Sequence, residues 1–265
     1  MRTAIIGGGF MGEALIAALR RREVAHPADI VVADVARDRR DHLHGRYGVA
    51  AVADPRAAAL GADLVVLAVK PQQVEPVFRD LHEQLTPEQL ALSIMAGVPL
   101  ARLTTGLAHP SVVRVMPNML AEVGEAMSVW IASPSVNEEQ RGWTRALLSA
   151  AGHQWEVTEE KYLDLATAVS GSGPAYFFLV IEALIDAGVH IGLPRDMATE
   201  LAVQTAAGSA LLMRETKRHP AALRNAVTSP GGTTAEALLV LESSGLRAAF
   251  VEAVIAAYEK AQSLG

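Results

Sequence analysis

The sequence predicts an α/β protein: an N-terminal Rossmann-type doubly wound sheet followed by an all-helical C-terminal dimerisation domain. Three observations carry that prediction. Short apolar runs alternate with helical patterns as far as Val157. A Gly7-x-Gly9-x-x-Gly12 motif sits between the first apolar run and the first helical pattern. After Val157 the strand signals stop and alanine-rich helical patterns take over. The expected division is therefore residues 1–157 and 158–265.

Arg2–Ile6 is the first strand and runs directly into Gly7-Gly8-Gly9-Phe10-Met11-Gly12. The helix that follows carries Leu15, Ala18 and Leu19 on one face. It ends in Arg20-Arg21-Arg22, where the helix dipole favours cations. Asp29–Ala33 is the second strand and closes on Asp34. Strand, glycine motif, helix, strand and acidic residue, in that order, are what a dinucleotide fold requires. Gly7 permits the tight turn, Gly9 lets the backbone approach a pyrophosphate, and Gly12 lets helix and strand pack closely. Asp34 would accept a hydrogen bond from the adenosine ribose, as in NAD binding. Arg37, Arg39 or Arg40 just beyond it could instead hold a 2′-phosphate, or simply begin a solvated helix. The residues leave NADPH or NADH open as the cofactor.

Val49–Val52 is a weaker strand and Arg56–Leu60 a short helix, while Asp63–Val69 is strongly apolar and ends in Lys70-Pro71. Ala91–Met95 closes on Ala96-Gly97, and Ser111–Met116 on Pro117-Asn118. Met127–Ala132 and Gln154–Val157 complete the series, around a helix from about Asn137 to Ala150. Apolar runs separated by helices indicate a parallel sheet covered on both faces. Its ligand crevice lies at the C-terminal strand ends, which places Lys70, Ala96 and Asn118 on one rim with the glycines.

In the second half, helices are expected over 159–169, 175–189, 195–213, 220–226, 234–242 and 246–262. The breakers are Ser170-Gly171-Ser172-Gly173-Pro174, Gly188, Gly192-Leu193-Pro194, His219-Pro220 and Gly245. Ser172-Gly173-Pro174 reads as a helix start with proline at its first position. Ala175–Val189 is apolar on more than one face, and about 105 residues of helix bury only a small core. A second copy of the chain is the natural cover, so a homodimer through these helices is expected.

Composition narrows the function further. A formal net charge of -6 provides no basic stripe, so no nucleic-acid partner is expected. The absence of cysteine removes disulfides, thiolate metal sites and a cysteine nucleophile. The eight histidines show no metal-ligand spacing, so no metal is expected, and no G-x-S-x-G occurs. Glu13 and three consecutive glycines interrupt any signal peptide at Met1–Leu19. No apolar run reaches the roughly 20 residues that span a bilayer. A soluble, cytoplasmic protein without a membrane partner is expected.

Val227-Thr228-Ser229-Pro230-Gly231-Gly232-Thr233-Thr234-Ala235-Glu236-Ala237-Leu238 looks like a helix start. Thr233 followed by Glu236 reads as a capping box, with Thr233 as N-cap. Gly231 and Gly232 leave amides bare in front of it, and a helix N-terminus with bare amides attracts a carboxylate or phosphate.

A nicotinamide-binding domain and a helical dimer domain without an evident acid or nucleophile suit hydride transfer to an already electrophilic C=N bond. The chain resembles the pyrroline-5-carboxylate reductases over its full length. The glycine motif, Ala68-Val69-Lys70-Pro71 and Arg114-Val115-Met116-Pro117-Asn118 match, as does Ala168-Val169-Ser170-Gly171-Ser172-Gly173-Pro174-Ala175-Tyr176. Asp186-Ala187-Gly188-Val189 with Gly192-Leu193-Pro194, and Val227 to Leu238, match as well, and the last three segments together are the specific ones.

The resemblance implies reduction of 1-pyrroline-5-carboxylate to L-proline by NADPH or NADH, the last step of proline biosynthesis. It also implies interlocked homodimers, often assembled into a decamer, with the active site between the domains at the dimer interface. Ile6, Gly7, Gly8, Gly9, Phe10, Met11 and Gly12 would hold the pyrophosphate, with Asp34 and Arg37 at the adenosine end. Ala68, Val69, Lys70, Pro71, Ala96 and Gly97 would line the ribose and nicotinamide, with Asn118 nearby. Ser229, Gly231, Gly232 and Thr233 would bind the substrate carboxylate, and Thr234 would hydrogen-bond the ring nitrogen as the catalytic contact.

The chain departs from the family at Asp54-Pro55, where Asn is frequent, and at Asp34, where a small polar residue or Arg is frequent. Two other readings share the plan: a different imine or beta-hydroxyacid reductase, and a dinucleotide-binding sensor without turnover. A hydroxyacid reductase would use a lysine of the helical domain, for which Lys161 and Lys217 are the candidates before the last helix.

Overall fold

The computed structural model describes residues 1–263. In chain order the first part runs β1 (Thr3–Ile6), α1 (Phe10–Arg21), β2 (Ile30–Ala33), α2 (Arg37–Tyr47), β3 (Ala50–Val52), α3 (Pro55–Ala59), β4 (Leu64–Leu67) and α4 (Val74–Leu81). It continues with β5 (Leu90–Ser93), α5 (Leu100–Leu107), β6 (Val112–Met116), β7 (Ala126–Ala132), α6 (Glu138–Ala151) and β8 (Gly152–Glu156). The remainder is helical: α7 (Lys161–Ala166), a π-turn (Thr167–Gly171), α8 (Gly173–His190), α9 (Arg195–Thr216), α10 (Pro220–Ala226), α11 (Thr233–Ser243) and α12 (Leu246–Gln262). By contact the chain groups into two compact units, Met1–Ser172 together with the chain from Ala257 on, and Gly173–Ala256.

The eight strands form one sheet in the order β3-β2-β1-β4-β5-β6-β7-β8. The order reverses between β1 and β4, the switch point where such sheets open a crevice. Strand side chains alternate between two buried layers. Ile5, Leu64, Val66, Leu90 and Leu92 point into one core. Ala4, Ile6, Val65, Leu67 and Ala91 point into the other. Burial on both faces explains the unbroken apolar runs, and each fully buried Leu, Ile or Val side chain contributes about 1.5–3 kcal/mol.

One pair departs from the parallel series. β6 and β7 are antiparallel, with Val113 opposite Ala132 and Met116 opposite Val129. The chain between them holds only a short 3₁₀ turn, Met119–Val123. A parallel return would need a crossover of a dozen or more residues, so the strand folds straight back.

The expected break at Ser170–Pro174 is not one. The Ser172 amide reaches the Thr167 carbonyl at 2.8 Å, a wide turn that carries the helix on into α8, so Pro174 follows Gly173 inside the helix. The π-turn is anchored on the sheet side, because Asn118 Nδ2 donates to the Ser170 carbonyl at 3.0 Å. Arg114, buried on β6, pairs with Glu160 at 2.7 Å and with Asp164 at 3.4 Å. Glu160 also accepts from the Leu100 amide.

Continuity through the π-turn corrects the expectation about apolar length. Counted across it, Lys161–His190 is 30 residues long, with a mean hydropathy of 1.5 in its most apolar stretch. It is the one helix among the described residues long and apolar enough to cross a membrane. A helix covered by a second copy of the chain has the same composition.

The unit Gly173–Ala256 leaves much apolar surface bare. Phe177, Phe178 and Leu179 on α8, Leu201 on α9, and Leu239 and Val240 on α11 are all exposed. Exposed apolar surface of this extent marks an interaction face. Within the unit α8 meets α9 at Gly188, where an added Cβ would stand 3.1 Å from that of Ala198.

Candidate active site

The glycine loop is held by the sheet around it. The Gly7 amide donates to the Ala33 carbonyl at 2.8 Å, and the Ala68 amide donates to the Ile6 carbonyl at 2.7 Å. Gly7 has φ +105° and lies so close to β4 that an added Cβ would stand 2.8 Å from the Ala68 carbonyl. A Cβ on Gly12 would collide with the Gly7 carbonyl oxygen, the close helix–strand approach expected of the third glycine. A Cβ on Gly9 would meet no protein atom. No contact among the described residues requires glycine there, whereas a ligand approaching the backbone would. Helix α1 opens on Gly9 without a side-chain cap, so its first amides are left for an anion.

Beside the loop is a cleft of about 380 Å³ at the C-terminal strand ends. Ile6, Gly7, Gly9, Asp34, Ala68, Val69 and Lys70 line it, and Gln73 and Asp80 join them. Glycines, bare amides and an acidic residue at the end of β2 fit a dinucleotide. Gly8, Phe10, Met11, Gly12, Arg37, Pro71, Ala96, Gly97 and Asn118 lie outside that lining. Asn118 is buried, and its amide serves the protein: it donates to Ser170 and accepts from the Met127 amide at 3.3 Å.

Asp34 accepts from the Gly8 amide through one carboxylate oxygen and from the Ala36 amide through the other, both at 2.9 Å. Its partners fix the carboxylate at the mouth of the cleft. Arg40 donates to the Asp34 and Val35 carbonyls at 2.8 and 3.0 Å. Arg37 is exposed and, among the described residues, pairs with Asp41 at 3.6 Å. Asp54 caps α3 by accepting from the Arg56 amide at 2.9 Å.

The sequence reading missed Glu13. Its carboxylate receives Arg39, Arg46 at 3.1 Å, His42 at 3.1 Å and the Tyr47 hydroxyl at 2.9 Å. Burial raises its pKa, but hydrogen bonds from His42, Arg39 and Tyr47 outweigh that and hold it at about 2. Arg39 also donates to the carbonyls of Gly8 and Gly9. The signal was present, since Arg39, His42 and Arg46 recur at helical spacing on one face of α2, opposite a lone acid in the first turn of α1.

In the other unit the start of α11 differs from the expectation. Gly232, in extended conformation, is the N-cap, and Thr233 is the first helical residue, so there is no capping box. Pro230-Gly231 makes a turn with Gly231 at φ +66°, and the Gly232 amide donates to the Ser229 carbonyl at 3.1 Å. A side chain on Gly232 would collide with Ser229 Oγ. Gly232 therefore uses its amide inside the turn, which corrects the idea that it offers it to a carboxylate. Thr233 and Thr234, as the first two helical residues, have amides with no intrahelical partner. Thr234 is half-buried and Thr233 exposed.

The two lysines expected for a hydroxyacid reductase are both exposed. Lys161 is exposed and bound to Glu159 at 2.6 Å. Lys217 closes α9 in left-handed conformation.

Comparison with known proteins accords with this geometry. A family profile for NADP oxidoreductases, coenzyme F420-dependent, matches residues 2–97. A second, for pyrroline-5-carboxylate reductase dimerisation, matches residues 160–264. The pyrroline-5-carboxylate reductase of Synechocystis sp. is 43% identical over 265 residues, covering 100% of this chain and 98% of the relative. That of Mycobacterium tuberculosis is 43% identical over 289 residues, covering 99% and 96%. Among solved structures, a pyrroline-5-carboxylate reductase from Coxiella burnetii superposes with TM-score 0.91 at 36% identity, covering 100% and 98%. The Plasmodium falciparum enzyme with NADP bound superposes with TM-score 0.90 at 29% identity, again covering 100% and 98%. Similar over its whole length to these relatives, and matched by the dimerisation profile over its helical part, the chain belongs to the pyrroline-5-carboxylate reductase family.

Proposed function

We propose that this chain reduces 1-pyrroline-5-carboxylate to L-proline, the last step of proline biosynthesis, with NADPH or NADH as the reductant. The observation that supports this reading best is the pairing, in one chain, of a dinucleotide cleft with a bare helix start that offers amides and a threonine hydroxyl. Residues 1–157 serve as the dinucleotide-binding domain and residues 158–265 as the dimerisation and substrate domain. The nicotinamide supplies a hydride when bound. The bare amides at the start of α1 face the pyrophosphate, while Gly7 and Gly8 spend theirs on Ala33 and Asp34, and Asp34 meets the adenosine ribose. Ala68–Pro71, Ala96-Gly97 and Asn118 shape the nicotinamide end.

The substrate needs little activation, because its C=N carbon is already electrophilic. The Ser229 hydroxyl and the amides of Gly231 and Thr233 hold its carboxylate, with the α11 dipole behind them. Gly232 sets the turn rather than donating. The Thr234 hydroxyl hydrogen-bonds the ring nitrogen, fixing the face on which the carbon receives hydride while the nitrogen carries the proton. The apolar faces of α8, α9 and α11 pair with a second copy, and such dimers assemble further into a decamer. The protein is soluble and works in the cytoplasm.

The test is to supply 1-pyrroline-5-carboxylate with each reduced nicotinamide and follow both nicotinamide oxidation and proline. Matched consumption and formation are expected. Nicotinamide binding without turnover would favour the sensor reading.

A further inference from the structure

We propose that Glu13 is a specificity-determining residue which, together with Asp34, makes this chain prefer NADH over NADPH. The inference rests on the reading of the cleft as a nicotinamide-dinucleotide site. The two cofactors differ by a phosphate on the adenosine ribose, next to the acidic residue at the end of β2. Recognition of that phosphate is strongest with a guanidinium or ammonium free to pair with it.

Helix α2 carries four arginines close in sequence to that point, and three are already committed. Arg40 is bound to the carbonyls of Asp34 and Val35. Arg46 is bound to Glu13, with its guanidinium 5.3 Å from the centre of the Tyr47 ring. Arg39 is bound to the Gly8 and Gly9 carbonyls and to Glu13. The fourth, Arg37, points to Asp41 and lies outside the cleft lining. The lining itself carries the carboxylates of Asp34 and Asp80 against the ammonium of Lys70. A 2′-phosphate there would meet Asp34 first.

Glu13 decides the matter because of where Arg39 lies. Gly8 donates its amide to Asp34 and accepts Arg39 on its carbonyl, so carboxylate and guanidinium both bind the backbone of one residue. Arg39 thus stands one residue from the carboxylate that would meet the ribose, held on the glycine loop and paired with Glu13. The carboxylate of Glu13 is only 17% exposed and gathers four donors, more than a helix start needs. Removing its charge takes away the ionic partner of Arg39 and leaves the guanidinium on the Gly8 and Gly9 carbonyls, with its charge open to a phosphate beside the loop.

The experiment is a fluorescence titration of the full-length protein with NADH and with NADPH, read as the ratio of the two dissociation constants. The wild type is expected to bind NADH more tightly by about tenfold, the scale of one charge-assisted contact. Glu13→Gln should shrink that ratio by about threefold or more, and adding Arg39→Met should restore it. Equal losses for both cofactors in Glu13→Gln, or a wild type that binds NADPH as tightly as NADH, overturn the proposal. If Glu13→Gln does not fold, Arg39→Met in the wild type decides. An unchanged ratio supports the proposal, whereas a ratio moved further toward NADH means that Arg39 already holds the phosphate and overturns it. A folded wild type that binds neither nicotinamide overturns the dinucleotide reading as well, and so is distinct from either of these failures.

Discussion

The starts of α1 and α11 are two solutions to one problem. Both open on glycine, both lack a side-chain cap, and both leave first-turn amides for an anion. They differ in what holds them. The α1 loop is fixed by residues far away in sequence: Ala33 and Ala68 beside Gly7, Asp34 on the Gly8 amide, and Arg39 on the Gly8 and Gly9 carbonyls. The α11 turn is fixed by its neighbours, Ser229 and the left-handed Gly231. Damage to the first should therefore appear as lost stability, and damage to the second as lost function in an intact fold.

Gly12→Val strains this contrast most. Its side chain must displace the Gly7 carbonyl, so we expect a loss of about 3 kcal/mol in urea unfolding together with loss of nicotinamide binding. Retained stability would mean that the loop is not held as described. Acid titration comes next. The Glu13 carboxyl is held at about 2 against an ordinary 4.5, so the folded state is the more acidic one. Its stabilisation is complete above about pH 4.5 and is lost as pH falls toward about 2, at most about 3 kcal/mol. Glu13→Gln should flatten that acid limb when unfolding midpoints are compared at about pH 6 and about pH 3, and an unchanged limb would show that the network is not coupled to folding.

The α11 turn should behave in the opposite way. Thr234→Val is expected to lower kcat/KM by roughly ten- to a hundredfold, about 1.4–3 kcal/mol, while Tm stays put. A fall in Tm with unchanged kinetics would reverse its assignment. The smallest effect belongs to Thr233→Ala. As a helix N-cap, Thr233 would be worth about 1 kcal/mol, but as the first helical residue it should change unfolding by only a few tenths.

The fold was legible wherever local pattern and tertiary burial agree. The strands ending at Ile6, Ala33 and Met116, and the helices Pro220–Ala226 and Leu246–Gln262, stand where the pattern placed their ends. What escaped the sequence is non-local. The direction of β7 depends on the length of its connection, not on its own residues. Ser170–Ser172 read as a breaker because glycine and serine disfavour helix, but the Asn118 contact and the wide turn keep the helix running. Thr233 lost the cap because Gly231 turns the chain one residue early. At the candidate site the glycines and Asp34 were visible, since their roles depend on backbone geometry. Glu13 was harder to see, since its partners lie a helix away and only their spacing on α2 hints at it.

Transfer of label from a nicotinamide deuterated at its hydride position tests the central claim most directly. Incubated with 1-pyrroline-5-carboxylate and the full-length protein, it should yield L-proline with deuterium on the ring carbon that was double-bonded to nitrogen. Proline without label, or no proline while the nicotinamide is bound, would contradict the account.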